Sequence, residues 1–187
     1  PFHTQGWTFG AEKSLDLPFG LKGAILLELT SLECSADYDR LINWYTTFYS
    51  HHIITQGYTN QGQWLGAGIG TGGNSQYLGF TVYHNKGSFT IFGQRRNPDL
   101  DYTMFIDSRK YSEDFENEIL SAESNIRALL DFGTSCTYFI LPTLQVTAKV
   151  IVEDEHNPFY ISKKECSDSS SEHRYNCYIS ISAKYNF

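Results

Sequence analysis

The sequence predicts an all-β fold, an antiparallel transmembrane β-barrel with short helices in its loops. Three observations carry that expectation: hydrophobic residues recur with period two in several segments, no run of about 18 apolar residues exists for a spanning helix, and the last strand alternates down to a terminal Phe187. Aromatic residues make up 16% of the 187 residues and charged residues only 19%, against roughly 25% charged in an ordinary soluble domain. That composition excludes intrinsic disorder. A net charge of -7, from 14 basic and 21 acidic side chains, argues against a nucleic-acid partner.

Taken in chain order, Gly23–Ser31 (GAILLELTS) is a largely apolar strand with Glu28 on its polar side. Ala36–Ser50 places Leu41, Trp44, Tyr45 and Phe48 at helical spacing, with Asp37 and Asp39 in the first turn, where the helix dipole favours acids. A Gly-rich connection runs from Gln56 to Gln76. Tyr77–Arg95 is a hairpin about His84-Asn85-Lys86-Gly87, with Leu78, Phe80 and Val82 on one arm and Phe89 and Ile91 on the other. Ser112–Ser121 is a second short helix capped by Ser112.

Beyond it, Asn125–Phe132 sets Ile126, Ala128, Leu130 and Phe132 against Asn125, Arg127 and Asp131, with Leu129 out of phase. Leu144–Val152 sets Leu144, Val146, Ala148, Val150 and Val152 against Gln145, Thr147 and Lys149. A polar loop, Glu153–His173, contains the run Ser167-Asp168-Ser169-Ser170-Ser171. In Arg174–Phe187 every odd position is apolar or aromatic and every even one polar, which only an extended strand sorts. Six to eight strands are expected in all.

Alternation of this kind suits a soluble sandwich or a barrel with lipid outside. The C-terminus decides for the barrel. Phe187 closes a row containing Ile179, Ile181 and Tyr185, and this row resembles the C-terminal signal read by the outer-membrane barrel assembly machinery. A soluble edge strand gains nothing from that arrangement. Tyr175, Tyr185 and Phe187 also suit an interfacial aromatic girdle. Long loops on one side of a membrane barrel accommodate the two irregular stretches.

The stretch Tyr49–Gly66 (YSHHIITQGYTNQGQWLG), the Gly-rich loop after it and Tyr77-Leu78-Gly79-Phe80 resemble the capsule-assembly Wzi family. Tyr38–Phe48, the GQRRNPD run at Gly93–Asp99 and the closing YNF agree with that resemblance, which spans Leu21 to Phe187. It implies an outer-membrane barrel that binds surface polysaccharide and helps attach or assemble capsule. Barrels of that family are larger than 187 residues can build, so residues 1–187 are expected to be the C-terminal part of one barrel domain. The chain opens on Pro1, which agrees with a missing upstream part.

Functional chemistry is sparse. Gly68, Gly70 and Gly73 form a formal G-x-G-x-x-G, but a strand and not a helix follows, so a loop is expected rather than a dinucleotide site. His51 and His52 are adjacent and share no face; His84, His156 and His173 fall in expected turns or loops. Cys34, Cys136, Cys166 and Cys177 lack zinc spacing. Cys166 and Cys177 either pair in an oxidising compartment or remain free like the others. No catalytic residue, metal site or cofactor is expected.

Polysaccharide contacts are assigned to Trp44, Tyr58 and Trp64, whose rings suit sugar stacking, and to Arg95, Arg96 and Asp99, which suit hydroxyl and carboxylate groups. Their ordinary alternatives are an interfacial belt for the aromatics and a solvated turn of mutually paired ions for the charges. Ile179, Ile181, Tyr185 and Phe187 are assigned to assembly. The expected partners are surface polysaccharide, outer-membrane lipid and the assembly machinery. The alternative is an outer-membrane pore or enzyme of another barrel family.

Overall fold

The computed structural model describes residues 5–33, 48–49, 57–98, 100, 126–158 and 173–186. Among these residues nine strands follow one another: β1 (Trp7–Asp16), β2 (Lys22–Ser31), β3 (Thr59–Asn60), β4 (Gln63–Trp64), β5 (Asn74–His84), β6 (Gly87–Asn97), β7 (Ala128–Leu141), β8 (Leu144–His156) and β9 (His173–Tyr185). Seven of them form one antiparallel sheet in the order β1-β2-β5-β6-β7-β8-β9, so each long strand pairs with its neighbours in sequence. β3 and β4 form a separate small hairpin between β2 and β5. The fold is therefore all-β, with β1 and β9 at the two edges of its main sheet.

Connections at the two ends of the sheet differ. At one end they are tight: Leu17–Leu21 around the 3₁₀ turn Pro18–Gly20, Asn85-Lys86, and Pro142-Thr143. Gly87, at φ 153°, closes the second turn against the Thr137 carbonyl, a place with no room for a side chain. Lys22 pairs with Asp16 across the first. At the other end the chain leaves the sheet for the long stretches after β2, β6 and β8.

Because opposed residues of an antiparallel ladder share a face, register divides the sheet in two. One face carries Ile25, Leu27 and Leu29; Leu78, Phe80 and Val82; Phe89 and Ile91; Phe132; Val146, Val150 and Val152; Ile179 and Ile181. The other carries Glu28, Tyr77, Gln94, Asp131, Glu153 and Asn176 along a single rung of pairs. Burial is the reverse of a soluble domain. Ile181 is 76% exposed, Ile179 73% and Phe132 64%, whereas Glu155 is 1% exposed and Asp131 and Glu153 each 5%. The buried apolar side chains among the described residues are Ala24, Leu32 and Leu129.

Several expectations are refined. β7 starts at Ala128 and runs on to Leu141, well past Phe132, because Gly133–Tyr138 pairs with both β6 and β8, and Phe139 and Leu141 continue the pairing with β8. β1 escaped the periodicity reading, since Gly10 and Ala11 dilute its pattern and Lys13 interrupts the apolar row Trp7, Phe9, Ala11 and Leu15. The Gly-rich connection yields its end to β5 and contains the β3–β4 hairpin. His84, His156 and His173 terminate strands rather than occupying loops. The expected helices at Ala36–Ser50 and Ser112–Ser121 lie outside the described residues, apart from Phe48 and Tyr49.

Candidate functional site

The polar face concentrates its charge near the end with the long connections. Asp131 on β7 and Glu153 on β8 are direct ladder partners. Arg96 on β6 reaches both: its Nε donates to Asp131 Oδ2 at 2.9 Å and its Nη2 to Glu153 Oε2 at 2.8 Å. Glu153 Oε1 accepts from Asn176 Nδ2 at 2.9 Å and from the Tyr178 hydroxyl at 3.1 Å, both on β9. Both oxygens of Glu153 are thus engaged. Asp131 Oδ1 is buried and accepts no hydrogen bond from any described residue.

One rung further, Glu155 is flanked by Arg127, whose Nε donates at 2.7 Å, and by Arg174 on its other oxygen. Asp131, Glu153 and Glu155 face Arg96, Arg127 and Arg174, three carboxylates to three guanidiniums. Charge balance of this kind is what permits buried carboxylates, since an unpaired one in a low-dielectric setting costs several kcal/mol.

Toward the tight turns the same face becomes aromatic and then hydroxylic. Phe92 stacks with Tyr77 at 5.6 Å between centroids, and Lys149 Nζ stands 5.1 Å from the centre of the Phe92 ring. Phe92 lies over Gly133, where any Cβ would overlap the ring. Thr81 and Thr90, then Thr137 and Thr147, meet hydroxyl to hydroxyl at 2.9 and 3.0 Å.

Among the described residues, those singled out for polysaccharide are not gathered at one point. Arg95 and Arg96 belong to strand β6 rather than a turn, so their side chains part to opposite faces. Arg96 enters the buried network; Arg95 lies on the apolar face, where its Nη1 donates to Gln76 Oε1 at 3.1 Å. The expectation that these ions pair within a solvated turn is thereby corrected for Arg96, whose partners Asp131 and Glu153 come from two other strands.

Tyr58 is exposed beside the β3–β4 hairpin that contains Trp64, and its backbone N–H donates to the Tyr49 carbonyl at 2.8 Å. Trp44, Asp99 and Phe187 lie outside the described residues. Ile179, Ile181 and Tyr185 share the apolar face of β9, all exposed. Cys136 and Cys177 are exposed free thiols on that face, and Cys34 and Cys166 lie outside the described residues.

Sequence reading missed Glu153, Glu155, Arg174, Asn176 and Tyr178 as members of a site. Their signal was available only in the register: each occupies the polar phase of its strand, but the rung they share is set by the pairing of β8 with β9, which a long connection joins. Among the described residues no group of three or more His, Cys, Asp or Glu side chains is placed to hold a metal ion, and no helix is long and apolar enough to cross a membrane. Comparison with protein-family models, with characterised proteins and with solved structures finds no match.

Proposed function

We propose that this chain is part of an outer-membrane β-barrel that retains surface polysaccharide by binding it, as its resemblance to the capsule-assembly Wzi family implies. The observation that carries the membrane reading is the inverted burial: Asp131, Glu153 and Glu155 are buried on the polar face of β7 and β8, while large apolar side chains stand exposed on the other face of all seven strands. In a barrel the exposed face meets lipid and the polar face meets the lumen. Joining β1 to β9, directly or through further strands, would close the sheet.

Dimensions support the reading. Tyr175 and Tyr185 sit on the apolar face of β9 ten residues apart, or roughly 34 Å at the rise of an antiparallel strand. Tilted by about 40°, that span is about 26 Å along the membrane normal, close to the roughly 25 Å apolar band of such barrels. On the long-connection side the first polar residues of this face are Ser31, Gln76, Arg95, Asp154 and His173, which end the band strand by strand. Tight turns at one end and long connections at the other match the asymmetry of outer-membrane barrels.

Binding rather than turnover is supported by the state of the buried carboxylates among the described residues. A glycosidase needs two acids set apart, one free to give a proton and one to attack or activate water. Glu153 has both oxygens committed and Arg96 ties it to Asp131. The sugar contacts are assigned to Tyr58, Trp64, Trp44 and Asp99, around the long connections.

The experiment has two arms. Cell fractionation should place the full-length protein in the outer membrane, released only by detergent; recovery as a soluble periplasmic protein would sink the barrel reading. The purified protein should bind capsular polysaccharide saturably and leave its chain length unchanged. Progressive shortening would establish an enzyme instead.

A further inference from the structure

The apolar face is not smooth. A groove of about 580 Å³ runs across it, walled by Leu78, Ile91, Phe132, Val150 and Val152, with Gly93 in its floor. Gly93 stands directly between Leu78 on β5 and Phe132 on β7, so a missing side chain sits between two large ones. The Phe132 ring leans toward the gap, its Cε1 lying 3.5 Å from where a Cβ would be.

Two residues beyond Gly93 on the same face is Arg95, roughly 7 Å along the strand. It is exposed and spends one donor on Gln76. The adjacent position on β7 is Leu130, and the carboxylate beyond it, Asp154, is held by His173 at 2.9 Å. Arg95 thus presents most of its guanidinium outward, at the edge of an apolar band and immediately above a hydrocarbon-lined groove.

We propose that this face holds one phosphorylated lipid of the outer leaflet, an acyl chain lying in the Gly93 groove and the phosphate paired with Arg95. The proposal rests on the membrane-barrel reading, under which this face meets lipid. Charge complementarity selects the occupant. A planar guanidinium matches phosphate oxygens in a forked pair, and its depth at the band's rim is that of a headgroup. Non-ionic detergent or a lipid without phosphate would fill the groove but leave the guanidinium without its counter-ion. A free anion would satisfy Arg95 but leave the groove unused.

The test uses full-length protein purified in non-ionic detergent, with bound lipid counted by native mass spectrometry. Phosphatidylglycerol and diacylglycerol with the same acyl chains are compared, and heat-modifiable migration verifies that each variant is folded. Wild type should retain one phosphatidylglycerol at a concentration about fivefold below that needed for diacylglycerol, the preference expected of one rim cation. Arg95→Gln keeps a polar partner for Gln76 and should abolish the preference, whereas Arg95→Lys should preserve it. Gly93→Leu fills the groove from an exposed face and should weaken both lipids.

Equal retention of the two lipids by wild type, or an unchanged preference in Arg95→Gln, overturns the proposal. So does inorganic phosphate competing fully while Gly93→Leu has no effect, which would leave a plain anion site. Insertion without lipid preference sinks this proposal alone. Failure to enter micelles or vesicles at all sinks the barrel reading beneath it.

Discussion

Asp131 and Glu153 stand directly opposite one another in the β7–β8 ladder, two carboxylates in a place where like charges repel. They coexist because Arg96, diagonal to Asp131 from β6, donates to both. Neither strand pair alone would tolerate the arrangement. The guanidinium therefore ties three consecutive strands together through their side chains, in addition to the backbone ladder, and fixes their register at the rung where β6 and β8 leave for long connections.

Replacing Arg96 tests this. Arg96→Met leaves two facing carboxylates without their cation and should destabilise the folded protein by about 3–5 kcal/mol, the usual cost of breaking a buried pair from one side. Adding Asp131→Asn and Glu153→Gln should recover a large part of that loss. Urea unfolding in lipid vesicles measures both; equal stability of Arg96→Met and wild type would mean the network is solvated and carries little.

Gly133 and Phe92 give an independent check on the polar face. A methyl group at Gly133 would overlap the Phe92 ring, so Gly133→Ala must push the ring off the sheet and away from Tyr77 and Lys149. The expected loss is about 1–3 kcal/mol, as for overpacking elsewhere. In Phe92→Leu the same methyl should cost less, and the difference is the coupling between the two positions.

Tyr58 tests the glycan assignment. Its exposed ring is clear of the buried network, so Tyr58→Ala should leave the folded fraction unchanged while weakening polysaccharide binding about three- to tenfold, the range for a lost stacking contact. A titration of the purified protein with polysaccharide gives the number. Unaltered affinity would remove Tyr58 from the site.

Much of this fold was legible because period two survives wherever one face is uniformly apolar. β9 and β8 show the clearest phase, and their actual faces are those the alternation assigns: Ile179 and Ile181 with Val150 and Ala148, against Ser180 and Ser182 with Lys149 and Thr147. The β5–β6 hairpin followed from its turn residues. β1 was hidden by Lys13, whose register position on the apolar face places a charge among Ala11, Leu15 and Ile25. On an edge strand a lysine discourages unwanted pairing, and its long stem lets the ammonium reach an interface.

The candidate site was less legible, for a physical reason. Arg96 was visible as a charge, but its partners lie 35 and 57 residues downstream on other strands. Side-chain periodicity fixes the face of a residue and not its height on the sheet. Height comes from register: the Pro142-Thr143 turn sets Glu153 opposite Asp131, whereas β6 and β7 are joined only by a long connection, and their ladder sets Arg96 opposite Leu129 and so diagonal to Asp131. The split of Arg95 from Arg96 did follow from strand geometry, once both were placed inside β6 rather than in a turn.

The direction of β9 is the sharpest remaining test. Ile181 and Ser182 are adjacent, and in the ladder with β8 they oppose Ala148 and Thr147 on different faces. If the apolar face meets lipid, Ile181→Arg puts a guanidinium near mid-membrane and should cost roughly 2–4 kcal/mol. Ser182→Arg points the same group into the polar lumen beside hydroxyls, where it stays hydrated and should cost little. Both variants add one side chain of identical composition, so any difference between them reports orientation. The folded, heat-modifiable fraction in vesicles should fall sharply for Ile181→Arg and hardly at all for Ser182→Arg. Equal damage would mean both faces are packed, as in a soluble sandwich. The opposite order would mean that β9 is displaced by one residue, which exchanges every side chain between faces.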